Sequence, residues 1–272
     1  MHKARWLIRE YFLPVKYKGL LYQLVKREVR TKFQGSWLGL SWAILTPIAM
    51  LAVYTFVFRS VLKAKWPGSA SDTDAEFALQ LFSGLLIFTL FSEVVGRAPT
   101  LISEQPNMVK KVIFPLSILP WVSLSASAFF AFLSLLVLIA ASWLTRGQLT
   151  IHLSALPLIG IAFVPMLLGI GWLLSSLGVY LRDLGHVVGL ILTPLMFLSP
   201  IFYPITALPD FIQDYMLLNP LALIIDSTRA VVLDANWPDF EALGVYLIVS
   251  SAVAILGAAC FHKTRKGFAD VL

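Results

Sequence analysis

Charge is scarce in this chain. Only 13% of its 272 residues are charged while 58% are hydrophobic, about half the charge of an ordinary soluble domain, which rules out a water-soluble globular fold. Cysteine is nearly absent. The single Cys260 excludes an intramolecular disulfide and a Cys-based zinc site, and near the end of an apolar block it reads as a small packing residue. The short motifs of soluble catalysis are missing too: no G-x-x-x-x-G-K loop followed by Ser or Thr to cradle a nucleotide, no H-E-x-x-H to hold zinc, no G-x-S-x-G elbow to present a nucleophile. His2, His152, His186 and His262 fall near the ends of apolar blocks without metal-ligand spacing and read as interfacial residues. There is no internal repeat, no low-complexity tract and no linker long enough to separate two folded domains. Nothing in the chain looks like an enzyme active site.

What is present is a series of long apolar blocks. Six of them approach or exceed the roughly 20 residues that cross a bilayer core as a helix: residues 37–58, 77–95, 116–144, 155–181, 184–202 and 243–261. The connection at Arg182-Asp183 is so short that the fourth and fifth spans are expected to be adjacent hairpin partners. The net charge of +6 points to membrane orientation rather than nucleic acid, because the basic residues flank the spans. With the N-terminus inside, cytoplasmic segments hold 16 of the 21 Lys and Arg: nine in residues 1–36, three between Arg97 and Pro115, Arg182, and Lys263, Arg265 and Lys266 in the tail. That is the positive-inside distribution, and an even number of spans places both termini in the cytoplasm. Nine basic residues precede the first apolar run, unlike a signal peptide, so the N-terminus is expected to be retained.

Three regions depart from simple spanning helices. Across residues 19–34, Leu21, Val25, Val29 and Phe33 form an apolar row with Tyr22 beside it, opposite Gln23, Lys26, Arg27 and Arg30. This is an amphipathic basic helix in the cytoplasmic interface, either an anchor to anionic lipid or a docking surface for a cytoplasmic partner. The stretch from Arg97 to Pro115 carries Pro99, Glu104, Pro106, Lys110 and Lys111; its prolines break any continuous helix, and composition alone reads it, like Arg182-Asp183, as a solvated connector. Residues 200–233 contain Pro200, Pro204, Pro209 and Pro220, with apolar runs too short to span yet too apolar for a solvated loop. External helices that dip into the bilayer under the shelter of protein fit that pattern. Asp226 and Arg229 lie one turn apart, near enough that they could pair within such a segment; the alternative is an exposed ion pair of little energetic consequence.

Glu93 is the one carboxylate deep in a span, and intramembrane acids are costly to bury and therefore functional candidates. Arg97 lies at i+4, so a local Glu93–Arg97 pair at the cytoplasmic boundary is the more economical account. No proton relay or line of buried charge is visible, which weighs against ion-driven transport. Aromatic residues make up 13% of the chain, and Trp42, Tyr54, Phe58, Phe82, Phe88, Phe197, Phe202 and Tyr203 lie mid-span or at span ends. Such residues divide between lipid-facing or packing positions and the wall of a conduit that offers apolar faces to sugar rings and hydroxyls to their oxygens.

Several stretches taken together resemble the permease subunits of bacterial ABC exporters of surface polysaccharides, of the O-antigen, capsule and teichoic-acid type. They are Arg27-Glu28-Val29-Arg30-Thr31-Lys32-Phe33, Ser36-Trp37-Leu38-Gly39 with Trp42 and Pro47, Phe114-Pro115 with Pro120, Tyr180-Leu181-Arg182-Asp183, Ser199-Pro200-Ile201-Phe202-Tyr203-Pro204, and Asn219-Pro220 with Asp226 and Arg229. The likeness covers nearly the whole chain.

It implies an all-α integral membrane protein with six transmembrane helices, an N-terminal amphipathic interface helix and external re-entrant gate helices before the last span. Residues 1–36 are then a cytoplasmic N-terminus, 37–262 the six-helix domain with its re-entrant region at 200–233, and 263–272 a cytoplasmic tail. The resemblance further implies a homodimer in the bacterial inner membrane, joined to two copies of a cytoplasmic ABC ATPase that carries ATP and Mg, with no cofactor on this chain and no nucleic-acid partner. The expected cargo is an undecaprenyl-diphosphate-linked polysaccharide, O-antigen foremost. Trp42, Tyr54, Phe58 and Phe197 are then expected to line the channel, and Lys26, Arg27, Arg30, Glu104, Lys110, Arg182 and Asp183 to receive the ATPase stroke. Pro200, Phe202, Tyr203, Pro209, Asn219, Pro220, Asp226 and Arg229 fall in the external gate. The nearest rival is a permease of the same architecture that exports a drug or a lipid. A membrane glycosyl- or acyltransferase would need a carboxylate or histidine constellation that the sequence does not show.

Overall fold

A computed structural model describes residues 11, 14–57, 66, 74–106, 114–147 and 150–271. Each apolar block folds as a helix, because in hydrocarbon the backbone N–H and C=O groups must find partners within their own segment. The principal helices are α1 (Lys18–Thr31), α2 (Trp42–Thr55), α3 (Asp74–Arg97), α4 (Leu119–Arg146), α5 (Leu156–Tyr180), α6 (Leu184–Leu198), α7 (Ala222–Val232) and α8 (Phe240–Thr264), and the described residues contain no strand. Helices α3, α4, α5 and α8 are long and apolar enough to cross a membrane, and α2 and α6 are shorter apolar helices. The protein is therefore an all-α integral membrane protein, and each of the six predicted spans overlaps one of these apolar helices, four of full crossing length and two shorter.

Helix ends follow local chemistry. Helix α4 closes on Gly147, whose φ of +72° allows its N–H to reach the Trp143 carbonyl at 2.8 Å. Asp239 caps α8, its carboxylate accepting the Ala242 N–H at 3.0 Å. The fifth span was expected to reach Phe202, but α6 ends at Leu198. Ser199 precedes Pro200 and is driven into extended backbone (φ −85°, ψ 150°), so the helix cannot continue. The first span starts later than expected: Trp37 lies in a turn and is 96% exposed, and α2 begins only at Trp42.

Helix α3 is the centre of the bundle: 72% of its apolar stretch is buried, against 17% for α4. The most intimate pair is α5 with α8. Gly169, Gly257, Ala254 and Ala258 let the two backbones meet, so that a Cβ at Gly257 would collide with the Gly169 carbonyl. The Ser250 hydroxyl donates across this seam to the Ala162 carbonyl at 3.0 Å. Small residues and short polar links are what bind helices where lipid removes the hydrophobic drive. The expected α5–α6 hairpin is looser than its short turn suggests: α6 packs chiefly on α3, and α5 takes α8 as its main partner.

Helix α1 lies across the start of α4, burying Leu24 against Ile118 and Val122. Its polar face is the predicted one, with Gln23, Lys26, Arg27 and Arg30 exposed. Tyr22 does not join the apolar row; it is 67% exposed, and the Lys26 ammonium stands 5.8 Å from its ring centroid. At 100° per residue Tyr22 sits on the flank nearer Lys26 than Leu24, so its ring covers the lysine instead of the core.

Candidate functional site

Helix α2 buries only Ala43 and Pro47 of its fourteen residues. Attached by one edge, it leaves a cleft of about 350 Å³ between itself, α3 and α4. Trp42, Met50 and Tyr54 line it from α2, Phe82, Leu86 and Thr89 from α3, and Phe130, Ala131 and Ser134 from α4, while Lys32 and Glu93 stand at the end nearest α1. The walls are thus aromatic and aliphatic with hydroxyls spaced among them. Two of the four predicted channel residues, Trp42 and Tyr54, share this cleft. Phe197 does not: it is 59% exposed on α6 and stacks on Phe202 with ring centroids 5.6 Å apart. Phe58 lies outside the described residues.

At the α1 end of the bundle, Lys26, Arg27 and Arg30 rim a surface depression of about 590 Å³ together with Gln23, Thr31 and Gln34. Two further predicted elements converge on this end. Ala98–Thr100 forms a single 3-10 turn after α3, and the Pro99 carbonyl presses on α5 where Gly178 leaves no Cβ to collide with it. Glu104 follows, exposed, its N–H bonded to the Thr100 carbonyl at 3.0 Å. Arg182 and Asp183 are exposed in the turn that links α5 to α6; the Asp183 carbonyl, not its carboxylate, accepts the His186 N–H at 3.0 Å. Lys110 lies outside the described residues.

The charges near the end of α3 are paired differently from the sequence expectation. Glu93 does not bond Arg97 along its own helix. Lys32 reaches Glu93 at 2.7 Å, and Arg97 pairs with Glu28. Both bonds therefore cross from α1 to α3. The helix that docks over α4 brings Lys32 and Glu28 within reach, a proximity invisible to i, i+4 spacing, and the Lys32 ammonium is held further by the Phe130 ring 4.2 Å away.

At the opposite end, residues 199–233 form short 3-10 and helical turns followed by α7. Two polar knots fasten this segment. In the first, the Asn219 amide donates to the Ser199 hydroxyl at 3.0 Å and the Leu198 carbonyl at 3.3 Å, and its oxygen accepts the Leu221 N–H at 3.0 Å. Asn219 thereby ties the end of α6 to the start of α7. Nearby, the Tyr246 hydroxyl of α8 donates to the Pro220 carbonyl at 2.7 Å, and the Tyr203 hydroxyl donates to the Phe197 carbonyl at 2.9 Å.

The second knot is Arg229, only 4% exposed. Its guanidinium donates to the Pro200 carbonyl (2.5 Å), the Ile201 carbonyl (2.8 Å), the Gln80 carbonyl (2.9 and 3.2 Å) and the Ser83 hydroxyl (3.2 Å), with the Trp66 ring 4.6 Å from its central carbon. The planar fork spans α7, α3 and the end of α6 at once, which an ammonium could not do. Gly84 makes the room: a Cβ there would stand 3.0 Å from the guanidinium and 3.1 Å from the Ile201 Cα. No hydrogen bond or ion pair joins Asp226 directly to Arg229. Asp226 makes no hydrogen bond or ion pair among the described residues; it acts on the Arg229 guanidinium only through space, from one turn away on α7. Pro209 sits at the exposed start of the turn Asp210–Gln213, its carbonyl accepting the Ile212 N–H at 2.8 Å. Sequence reading missed Gln80, Ser83 and Gly84. The signal available was a glutamine, a serine and a glycine in an otherwise apolar span.

A lipid-embedded bundle with a basic amphipathic helix at one end, a broken and partly buried helical segment at the other, and a cleft between is the build of a transporter's membrane-spanning subunit. A family model for ABC-2 type transporters matches residues 19–233, and the chain belongs to that family. It is 30% identical over 267 residues to the O-antigen export system permease protein RfbA of Myxococcus xanthus, covering 97% of this chain and 98% of that one. Its similarity to the Klebsiella pneumoniae protein of the same name is 24% over 266 residues, covering 96% and 99%. The polysialic acid transport protein KpsM of Escherichia coli is 27% identical over 249 residues, covering 89% and 92%.

Proposed function

We propose that this chain forms the path and gate of an ATP-driven exporter that carries a polyprenyl-diphosphate-linked polysaccharide, of the O-antigen type, across the bacterial inner membrane. The observation that carries this reading is end-to-end similarity to O-antigen export permeases and to a polysialic acid transporter. A second copy of the chain and two cytoplasmic ABC ATPases complete the assembly, and ATP and Mg bind on those ATPases. Both termini lie in the cytoplasm, a placement supported by the exposed basic face of α1 and the basic tail. Residues 1–36 and 263–272 are then the cytoplasmic segments and 37–262 the membrane domain.

In this reading Lys26, Arg27 and Arg30 meet the ATPase with Glu104, Lys110 and the Arg182-Asp183 turn. The cleft offers Trp42 and Tyr54 to the cargo: aromatic faces suit sugar rings, and many weak contacts hold a long chain without trapping it. Residues 200–233 gate the external side, with Arg229 and Asn219 fixing the segment to α3 and α6. Deleting the gene is expected to abolish the surface polysaccharide while lipid-linked glycan accumulates on the cytoplasmic face of the inner membrane. Unchanged surface glycan in the deletion strain would contradict the reading.

A further inference from the structure

Four charges join α1 to α3, and their spacing permits two complete pairings. Across the helices, Arg97 meets Glu28 and Lys32 meets Glu93 at 2.7 Å. Along the helices, Glu28 and Lys32 are four apart, and so are Glu93 and Arg97. Helical geometry extends to Lys32, whose N–H bonds the Glu28 carbonyl at 3.2 Å, so both i, i+4 pairs are stereochemically available. Both place the glutamate N-terminal to the base, the favoured order for such a pair.

We infer that this quartet is a two-state clasp: cross-helix pairing holds α1 against α3, and intrahelical pairing releases it. Every charge keeps a partner in both states, so release leaves no orphaned ion, which is the usual penalty for parting a salt bridge away from bulk water. The surroundings allow the exchange. All four side chains line one cavity of about 360 Å³ with Ser127 and Phe130, giving them room to change rotamer, and each remains 21–41% exposed, so water assists the transfer. Glu28, Lys32, Glu93 and Arg97 thereby become positioning residues for transport: they act through α1, the helix assigned to the ATPase stroke, and this role rests on the exporter reading given above. A static tie would need only opposite charges across the gap; the clasp also needs opposite charges along each helix.

That difference is testable in the reconstituted complex of the full chain with its ATPase. Exchanging one rung, E28K with R97E, keeps opposite charges across the helices but sets like charges one turn apart on each. Exchanging all four, E28K, K32E, E93K and R97E, preserves both pairings with the signs reversed. Spin labels on α1 and α3 report their separation, and ATP-dependent export reports function. In the wild type the clasp gives two label distances whose populations shift on ATP addition. The one-rung exchange is expected to collapse these to the shorter distance and lose export, and the four-residue exchange to restore both. A one-rung variant with wild-type distances and export would overturn the clasp. Should that variant fail to assemble, the wild type still decides, since a single label distance in every nucleotide state also overturns it. The distances need no glycan, so an error about the cargo would leave them unchanged and appear only in the export assay.

Discussion

Replacing Arg229 by methionine keeps the length and apolar stem of the side chain and removes every donor. The Gln80 carbonyl would still accept the Ser83 hydroxyl at 2.7 Å. The Pro200 and Ile201 carbonyls would lose the guanidinium that bonds them at 2.5 and 2.8 Å. Each buried acceptor left without its donor costs about 1–3 kcal/mol. Loss of a buried cation that has no directly bonded carboxylate offsets part of that, and a net destabilisation of about 2–4 kcal/mol follows. For a chain of this size the corresponding fall in melting temperature is about 5–10 °C, read by fluorescence size-exclusion after heating in detergent. Arg229→Lys should fall between, since one ammonium cannot reach Gln80 and the 200–201 carbonyls together. Asp226→Asn should shift the melting temperature far less than Arg229→Met, because that carboxylate makes no hydrogen bond or ion pair among the described residues and acts on Arg229 only through space. If Arg229→Met also melts like the wild type, the guanidinium does not fasten the 199–233 segment and the reasoning fails.

Gly257→Ala forces the α5–α8 seam apart and should destabilise by about 1–3 kcal/mol, whereas Gly244→Ala on the same helix meets open space and should be neutral or mildly stabilising; equal melting of the two variants would refute the close-seam account. Trp42→Ala with Tyr54→Ala should lower export while leaving the extracted protein monodisperse; full export would remove the cleft from the cargo path. Charge reversal at Arg182 or Asp183 should uncouple ATP hydrolysis from transport with normal membrane insertion, and normal export by both variants would exclude that turn from coupling.

The helices were legible because hydrocarbon leaves a long apolar run almost no alternative. The basic face of α1 was legible for a similar reason, since Lys26, Arg27 and Arg30 share one side at helical spacing. What the sequence hid was pairing at a distance. Glu93 and Arg97 are four apart, so the local bond looked sufficient; only the lie of α1 over α4 delivers Lys32 and Glu28 to them. Asp226 and Arg229 misled in the same way, because spacing along α7 says nothing of which flank is buried. The acceptors that hold Arg229 are mostly backbone carbonyls, which carry no sequence signature, and Gly84 reveals its purpose only when the guanidinium lies against it. The α5–α6 hairpin is less intimate than the α5–α8 pair because a short connection fixes nearness at the turn alone. The match of Gly169 to Gly257, 88 residues apart in sequence, drew α5 to α8 instead.

The most direct test of the exporter is to extract the tagged protein in mild detergent from cells expressing its native neighbours, and to assay the purified material for ATP hydrolysis with and without lipid-linked glycan. The account predicts that a cytoplasmic ABC ATPase co-purifies in equal number and that glycan stimulates its hydrolysis. Purification of the chain with no ATPase bound, or an ATPase indifferent to the glycan, would contradict it.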